Sequence, residues 1–191
     1  MQTSHALSLP NILTYGRILA VPLLVACFFV PGTTFRLIAL GLFIAAAVTD
    51  FFDGYLARAW HQQSALGRML DPIADKLLVA ACLMMLTADG TIRDWSMLAA
   101  LIILAREILV SGLREFLAEL RVSVPVSNLA KWKTTLQLIA IGVLLGAPAV
   151  EARLPGITLL GIVLLWIAAI LTLYTGYDYF RAGIRHLLEE D

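Results

Sequence analysis

Six long apolar segments, separated by short breaks, account for most of this 191-residue sequence. Each segment is close to the roughly 20 residues that an α-helix needs to cross about 30 Å of hydrocarbon. Backbone polar groups inside a bilayer must bond to one another, so a continuous span of this kind folds as a helix. The segments occupy residues 12–30, 35–58, 72–88, 95–119, 129–147 and 154–183. We therefore expect an all-α integral membrane protein, a bundle of six transmembrane helices.

The breaks between the segments contain turn-forming residues, and none is long enough to separate two domains. They are Pro31-Gly32, Asp89-Gly90, Pro125 with Ser127-Asn128, and Pro148 followed by Pro155-Gly156. We therefore expect residues 1–191 to form a single membrane domain. Arg17 and Pro22 interrupt the first segment and no basic stretch precedes it, so we expect this segment to be retained and not cleaved as a secretory signal.

The basic residues are distributed unevenly between the two sides of the predicted bundle. Only Arg36, Arg93 and Arg153 fall near the breaks after the first, third and fifth segments, and the other Lys and Arg residues lie toward the opposite side. Cytoplasmic loops of membrane proteins carry an excess of Lys and Arg. This asymmetry predicts that both termini and the loops after the second and fourth segments face the cytoplasm.

Four aspartates occur at fixed spacing in the second and third segments. They belong to the pattern Asp50-x2-Asp53-Gly54-x2-Ala57-Arg58-x8-Gly67-x3-Asp71-x3-Asp75. On a helix, residues 50, 53, 54 and 57 share one face, which offers two acids and no bulky side chain. Pro72 suits the first turn of a helix, so Asp71 and Asp75 can point at the first pair. An ionised group at membrane depth costs roughly 2.5 to 3.5 kcal/mol, so four acids need a counter-charge.

Divalent metal is the counter-charge that these acids favour. Converging carboxylates form an oxygen-only site that suits Mg²⁺ or Mn²⁺ and does not suit zinc. Two ions would neutralise four acids, and such a pair can hold a pyrophosphate and stabilise a leaving phosphate. The alternative is that individual acids pair with Arg58, Arg68 or Lys76. The whole spaced set favours a site for phosphoryl or phosphodiester transfer.

The spaced pattern resembles the complete signature of the CDP-alcohol phosphotransferase family. The resemblance implies six transmembrane helices and transfer of a substituted phosphate from a CDP-linked donor to an alcohol, with release of CMP. It also implies that Asp50, Asp53, Asp71 and Asp75 bind the metals, with Asp75 placed as general base. By the same resemblance, the residues that contact the cytidine diphosphate are Gly54, Ala57, Arg58 and Gly67. It further suggests a homodimer.

A second polar cluster bears on the choice of alcohol. It contains the cations Arg106, Arg114, Lys131 and Lys133 near the cytoplasmic ends of the fourth and fifth segments. Such cations suit an acceptor that brings its own phosphate, because Arg can clamp the phosphate and Lys adds a point charge. The alternative is that they are interfacial residues whose charged ends reach the lipid headgroups.

Together with the aspartate pattern, three further motifs resemble those of family members that use CDP-diacylglycerol and sn-glycerol 3-phosphate in a bacterial inner membrane, and the similarity covers residues 9–181. These motifs are Asn11-Ile12-Leu13-Thr14 with Arg17, Ala105-Arg106-Glu107, and Lys131-x-Lys133-Thr134. That resemblance predicts these two substrates, with transfer to inositol phosphate or serine as the runner-up. An ion or proton pathway is a more remote alternative, since intramembrane acids also mark transporters. A pathway would spread its acids along the membrane normal, however, and we find no internal repeat. Nothing in the sequence suggests nucleic-acid binding.

Overall fold

The structure is a computed structural model that describes the backbone of residues 9–59, 65–120 and 128–189, and side chains at 11–50, 67, 69–120 and 132–181. Every regular element in this part of the chain is an α-helix. In chain order they are α1 (Leu9–Phe28), α2 (Thr33–Ala59), α3 (Ala65–Ala88), α4 (Ser96–Glu119), α5 (Asn128–Val150) and α6 (Ile157–Glu189). The predicted all-α class is confirmed.

Within the described residues, five helices are long and apolar enough to cross a membrane. These spans are Asn11–Phe28, Thr33–Asp50, Ser96–Glu119, Trp132–Val150 and Ile157–Arg181. Large apolar side chains such as Phe29 and Leu159 are exposed on the outside of the bundle, as expected where lipid is the solvent. The remaining helix, α3, is also long, with 24 residues, but Asp71, Asp75 and Lys76 make its first half more polar than the five spans. The chain is a multi-pass membrane protein.

The helices pack around one apolar core. Helix α1 lies against α2 and α3, α5 lies against α6 and α2, and α4 packs mainly on α6. Leu24, Phe43, Leu83, Ile103 and Leu144 are among the core side chains with almost no exposed surface. This core holds the halves of the helices that carry few polar residues, and it leaves the polar halves together at one end.

Two prolines lie in helix interiors where we expected helix ends. We predicted that Pro72 lies in the first turn of a helix, but α3 starts at Ala65. We predicted a break at Pro148, but α5 continues to Val150. Proline removes one backbone donor and disturbs the preceding turn. Membrane helices tolerate this where neighbouring groups satisfy the freed carbonyl, so proline is a weaker boundary here than in water.

The side chain of Glu151 closes the turn between α5 and α6. Its carboxylate accepts hydrogen bonds from the backbone N–H groups of Gly156 and Thr158, at 2.7 Å and 2.9 Å, and from the Thr158 hydroxyl at 2.6 Å. The N–H groups at the start of a helix have no partner within the helix. The bonds from Thr158 and Gly156 lower the pKa of Glu151, because they stabilise its ionised form.

Candidate active site

A cavity of about 650 Å³ opens between α2, α3, α4 and α5 at the polar end of the bundle. Three aspartates form what we call the acidic wall: Asp50, Asp71 and Asp75. Three cations form the basic wall: Arg106, Arg114 and Lys133. Lys76, Glu107, Ser111, Glu115, Thr134 and Gln137 also contribute to the lining. The two sequence clusters, one on α2 and α3 and the other on α4 and α5, therefore face a single space.

The acidic wall is held from behind by α1. Arg17 donates through one nitrogen, Nη1, to Asp50 Oδ1 at 2.6 Å and to Asp75 Oδ1 at 2.5 Å. The Thr14 hydroxyl donates to Asp71 Oδ1 at 2.6 Å. The Arg17 side chain has no exposed surface, whereas the Asp50 and Asp75 side chains are 45% and 46% exposed. Helix α1 thus fixes the backs of the acids and leaves their other surfaces open to the cavity.

The acidic wall has the donor chemistry that Mg²⁺ or Mn²⁺ prefers. Asp50 and Asp75 contact the same nitrogen, so their oxygens lie close together, and hard carboxylate oxygens suit Mg²⁺ or Mn²⁺. Among the described residues, no group of three or more His, Cys, Asp or Glu is clustered tightly enough to hold a metal ion by itself. Asp53, the fourth predicted ligand, lies in α2, but its side chain falls outside the described residues.

The basic wall is organised around Glu107. Lys133 of α5 donates a hydrogen bond to Glu107 Oε1, and Arg106 Nη1 lies 3.5 Å from the same oxygen. The Arg106 Nη2 group also donates to Thr175 Oγ1 of α6 at 3.4 Å. Only 3% of the Lys133 side chain and 12% of the Arg106 side chain are exposed. Both cations are therefore buried in the protein and are not reaching to the membrane surface.

Helix α6 provides the surface on which the two arginines lie. A Cβ atom added at Gly176 would lie 3.0 Å from Arg106 Cγ and 3.4 Å from Arg106 Nε, so glycine leaves room for that side chain. The Arg114 guanidinium is above the ring of Tyr179, 5.7 Å from its centroid, within the range of a cation–π contact. The basic wall thus depends on α6 as well as on α4 and α5.

The remaining predicted site residues are placed only by their helices. Gly67 is buried in α3. The side chains of Gly54, Ala57 and Arg58 in α2, and of Lys131 in α5, fall outside the described residues.

Sequence reasoning did not assign a site role to Arg17, Thr14, Glu107 or Gln137. The sequence contained a signal for Arg17 and Thr14, because polar residues at positions 11, 14 and 17 share one face of an apolar helix. The structure shows that all three are buried. Glu107 had a weaker signal, as an acid beside Arg106 within an apolar segment. Gln137 also had a signal, because it lies four residues after Lys133 and so shares a helix face with it, but only the packing of α5 shows that it reaches the cavity.

Comparison with known proteins agrees with this architecture. Residues 7–174 match the CDP-alcohol phosphatidyltransferase family. A protein of Rickettsia bellii named CDP-diacylglycerol–glycerol-3-phosphate 3-phosphatidyltransferase is 48% identical over 176 residues, which cover 92% of this chain and 94% of the relative. A protein of Escherichia coli with the same name is 40% identical over 185 residues, covering 96% and 98% of the two chains. The matched region includes both walls of the cavity, and the chain belongs to the CDP-alcohol phosphatidyltransferase family.

Proposed function

We propose that this protein transfers the phosphatidyl group of CDP-diacylglycerol to sn-glycerol 3-phosphate, giving phosphatidylglycerophosphate and CMP. The relatives that match nearly the whole chain carry the name of this activity. The observation that carries the proposal is the division of one cavity into an acidic wall and a basic wall. The reaction brings together two differently charged groups, a metal-bound pyrophosphate and an acceptor that carries its own phosphate.

The acidic wall is the proposed donor side. Asp50, Asp53, Asp71 and Asp75 would hold Mg²⁺ or Mn²⁺, with two ions as the proposed number. When bound, the metal supplies positive charge to the pyrophosphate of the donor and to the departing phosphate. Arg17 and Thr14 orient the acids from behind, and residues that orient metal ligands in this way affect metal affinity. The remaining donor contacts are proposed for Gly54, Ala57, Arg58 and Gly67, which would bind the cytidine diphosphate.

The basic wall is the proposed acceptor side. Arg106, Arg114 and Lys133 line the same cavity as the acids, and Lys131 lies two residues before Lys133 on α5. A dianionic phosphate would compensate these cations for the hydration that burial removes, because charge-assisted bonds to phosphate are strong. A serine acceptor would bring no phosphate and would leave the buried Arg106 and Lys133 less well compensated. The wall therefore favours a phosphorylated acceptor.

Asp75 is the proposed general base. It accepts the proton of the primary hydroxyl of glycerol 3-phosphate as that oxygen forms a bond to the phosphorus that bears diacylglycerol. The bond from this phosphorus to the bridging oxygen of the pyrophosphate breaks, and the leaving group departs as CMP. One P–O bond is thus exchanged for another, and no oxidant or reductant is needed.

We propose that the enzyme lies in the inner membrane with its active site facing the cytoplasm. Its relatives are bacterial proteins, and the distribution of Lys and Arg supports the cytoplasmic orientation. We propose that residues 1–191 act as one membrane domain. We also propose that the protein functions as a homodimer, and measurement of its mass in lipid nanodiscs tests this oligomeric state.

The experiment is an assay of the purified protein in nanodiscs with CDP-diacylglycerol and a panel of acceptors: sn-glycerol 3-phosphate, inositol phosphate and serine. We expect CMP release and phosphatidylglycerophosphate, identified by mass spectrometry, with glycerol 3-phosphate alone. Formation of phosphatidylinositol phosphate or phosphatidylserine would show that the acceptor is inositol phosphate or serine and would refute glycerol 3-phosphate. Chelation should abolish turnover and Mg²⁺ or Mn²⁺ should restore it, whereas full activity in excess chelator would exclude the metal proposal.

A further inference from the structure

Gln137 on α5 is a buried polar residue at the wall of the cavity. The residue is only 3% exposed, and within the described part of the chain its Oε1 atom accepts no hydrogen bond. Buried polar atoms in folded proteins are nearly always bonded, since leaving one without a partner is costly. An exception at the wall of a cavity points to a partner that enters with a ligand.

The position of Gln137 limits which ligand that is. It lines the cavity that holds both walls, and it lies four residues after Lys133, on the same face of α5. An anionic group would be repelled by the amide oxygen, and a metal ion would be repelled by the neighbouring Lys133. A neutral hydroxyl is the fitting partner, because it can donate to the amide oxygen and accept from the amide nitrogen.

We propose that Gln137 binds the secondary hydroxyl of the acceptor and so selects a phosphorylated triol over a phosphorylated diol. This rests on the proposed function. In glycerol 3-phosphate the phosphate would meet the basic wall and the primary hydroxyl would meet Asp75, so the secondary hydroxyl lies between them. Gln137 is a specificity residue in this arrangement, and the primary hydroxyl reacts whether or not the secondary one is bound.

The test compares two acceptors that differ only in this hydroxyl, sn-glycerol 3-phosphate and 3-hydroxypropyl phosphate. A site built to bond a substrate hydroxyl discriminates strongly against an analogue that lacks it. We expect the unmodified enzyme to prefer glycerol 3-phosphate by about ten-fold or more in kcat/KM. In Gln137→Leu the preference should fall to near one, through loss of activity on glycerol 3-phosphate, while activity on the analogue changes little.

Gln137→Met serves as a second apolar replacement that packs with less strain, and it should show the same loss of preference. Thr172→Val is the matched control, because Thr172 on α6 also has a buried hydroxyl oxygen without a partner among the described residues, but it does not line the cavity. This control should leave the preference unchanged.

Equal use of both acceptors by the unmodified enzyme overturns the inference without any variant. An unchanged preference in Gln137→Leu or Gln137→Met also overturns it, as does a rise in the KM for CDP-diacylglycerol alone, which would move Gln137 to the donor side. Absence of turnover with glycerol 3-phosphate, with turnover of another alcohol, would instead refute the proposed function.

Discussion

The ammonium group of Lys133 on α5 donates a hydrogen bond to the carboxylate of Glu107 on α4, and almost none of the lysine side chain is exposed. A buried cation without a partner is expensive, so this bond holds Lys133 at the cavity wall before any substrate arrives. The same carboxylate lies beside Arg106. Glu107 is therefore a positioning residue for two of the three cations of the basic wall.

We predict that Glu107→Gln weakens binding of the acceptor more than binding of the donor. The loss of a buried charge-assisted contact is worth about 1.5 to 3 kcal/mol, so the apparent KM for glycerol 3-phosphate should rise roughly ten-fold or more. The KM for CDP-diacylglycerol should change little. Glu119→Gln is the control, since Glu119 is exposed near the end of the same helix. Equal effects on both substrates would mean that Glu107 has only a structural role.

Truncation of the cations should have the same selective effect. Alanine at Arg114, Lys131 or Lys133 should raise the apparent KM for glycerol 3-phosphate about ten-fold or more, because each removes a charge proposed to contact the phosphate. Lys131→Arg should retain part of the affinity, since the charge remains while the geometry changes. Steady-state kinetics with each substrate varied in turn measure both constants. Normal acceptor kinetics in all three alanine variants would refute the proposal that these residues bind the acceptor phosphate.

Asp75→Asn should damage the chemical step more than donor binding. A general base contributes about 10²- to 10⁴-fold, so kcat should fall by that order while the Kd for CDP-diacylglycerol changes much less. Single-turnover kinetics with equilibrium binding separate the two quantities. Asp178→Asn, at an exposed position on α6, is the control. Weak donor binding with near-normal turnover would reassign Asp75 to the metal alone.

Gly176→Val should displace Arg106 without adding or removing a charge. A Cβ atom at Gly176 already approaches Arg106 Cγ to 3.0 Å, and the branched valine side chain extends further. We expect a several-fold or larger rise in the KM for glycerol 3-phosphate. Gly112→Val on α4 is the control, because nothing lies within 4 Å of a Cβ atom at that position. Unchanged acceptor kinetics would show that the packing of Arg106 against α6 does not matter for binding.

The Glu151 turn predicts a pH-dependent stability. The pKa of Glu151 is lower in the folded state than its ordinary value of 4.5. The ionised carboxylate therefore stabilises the folded protein at pH values above 4.5, and this stabilisation is lost as the pH falls through the lower folded pKa. Glu151→Ala should lower the Tm of the detergent-solubilised protein by a few degrees at pH 7, and this difference should shrink below pH 4. Arg153→Ala, in the same turn, is the control. A difference that persists at low pH would rule out the ionised carboxylate as its source.

The helical class was predictable because backbone N–H and C=O groups inside a bilayer must be hydrogen-bonded to one another. A segment of about 20 apolar residues meets this requirement as an α-helix. The helix boundaries were less predictable. Pro72 and Pro148 suggested ends in the sequence, yet α3 and α5 run through them. Neighbouring elements can compensate for a missing donor, and no local pattern reports which neighbours are present.

The sequence by itself determined the helical class and the spacing of the acidic pattern, because hydropathy and the positions of Asp50, Asp53, Asp71 and Asp75 are local properties of the chain. The tertiary structure decided that Arg17 of α1 bridges Asp50 and Asp75, and that Arg106 and Lys133 share Glu107 in the same cavity. It also decided that Gln137 faces that cavity. These contacts join residues that are far apart in the chain, and they form only when the apolar core sets how the helices pack.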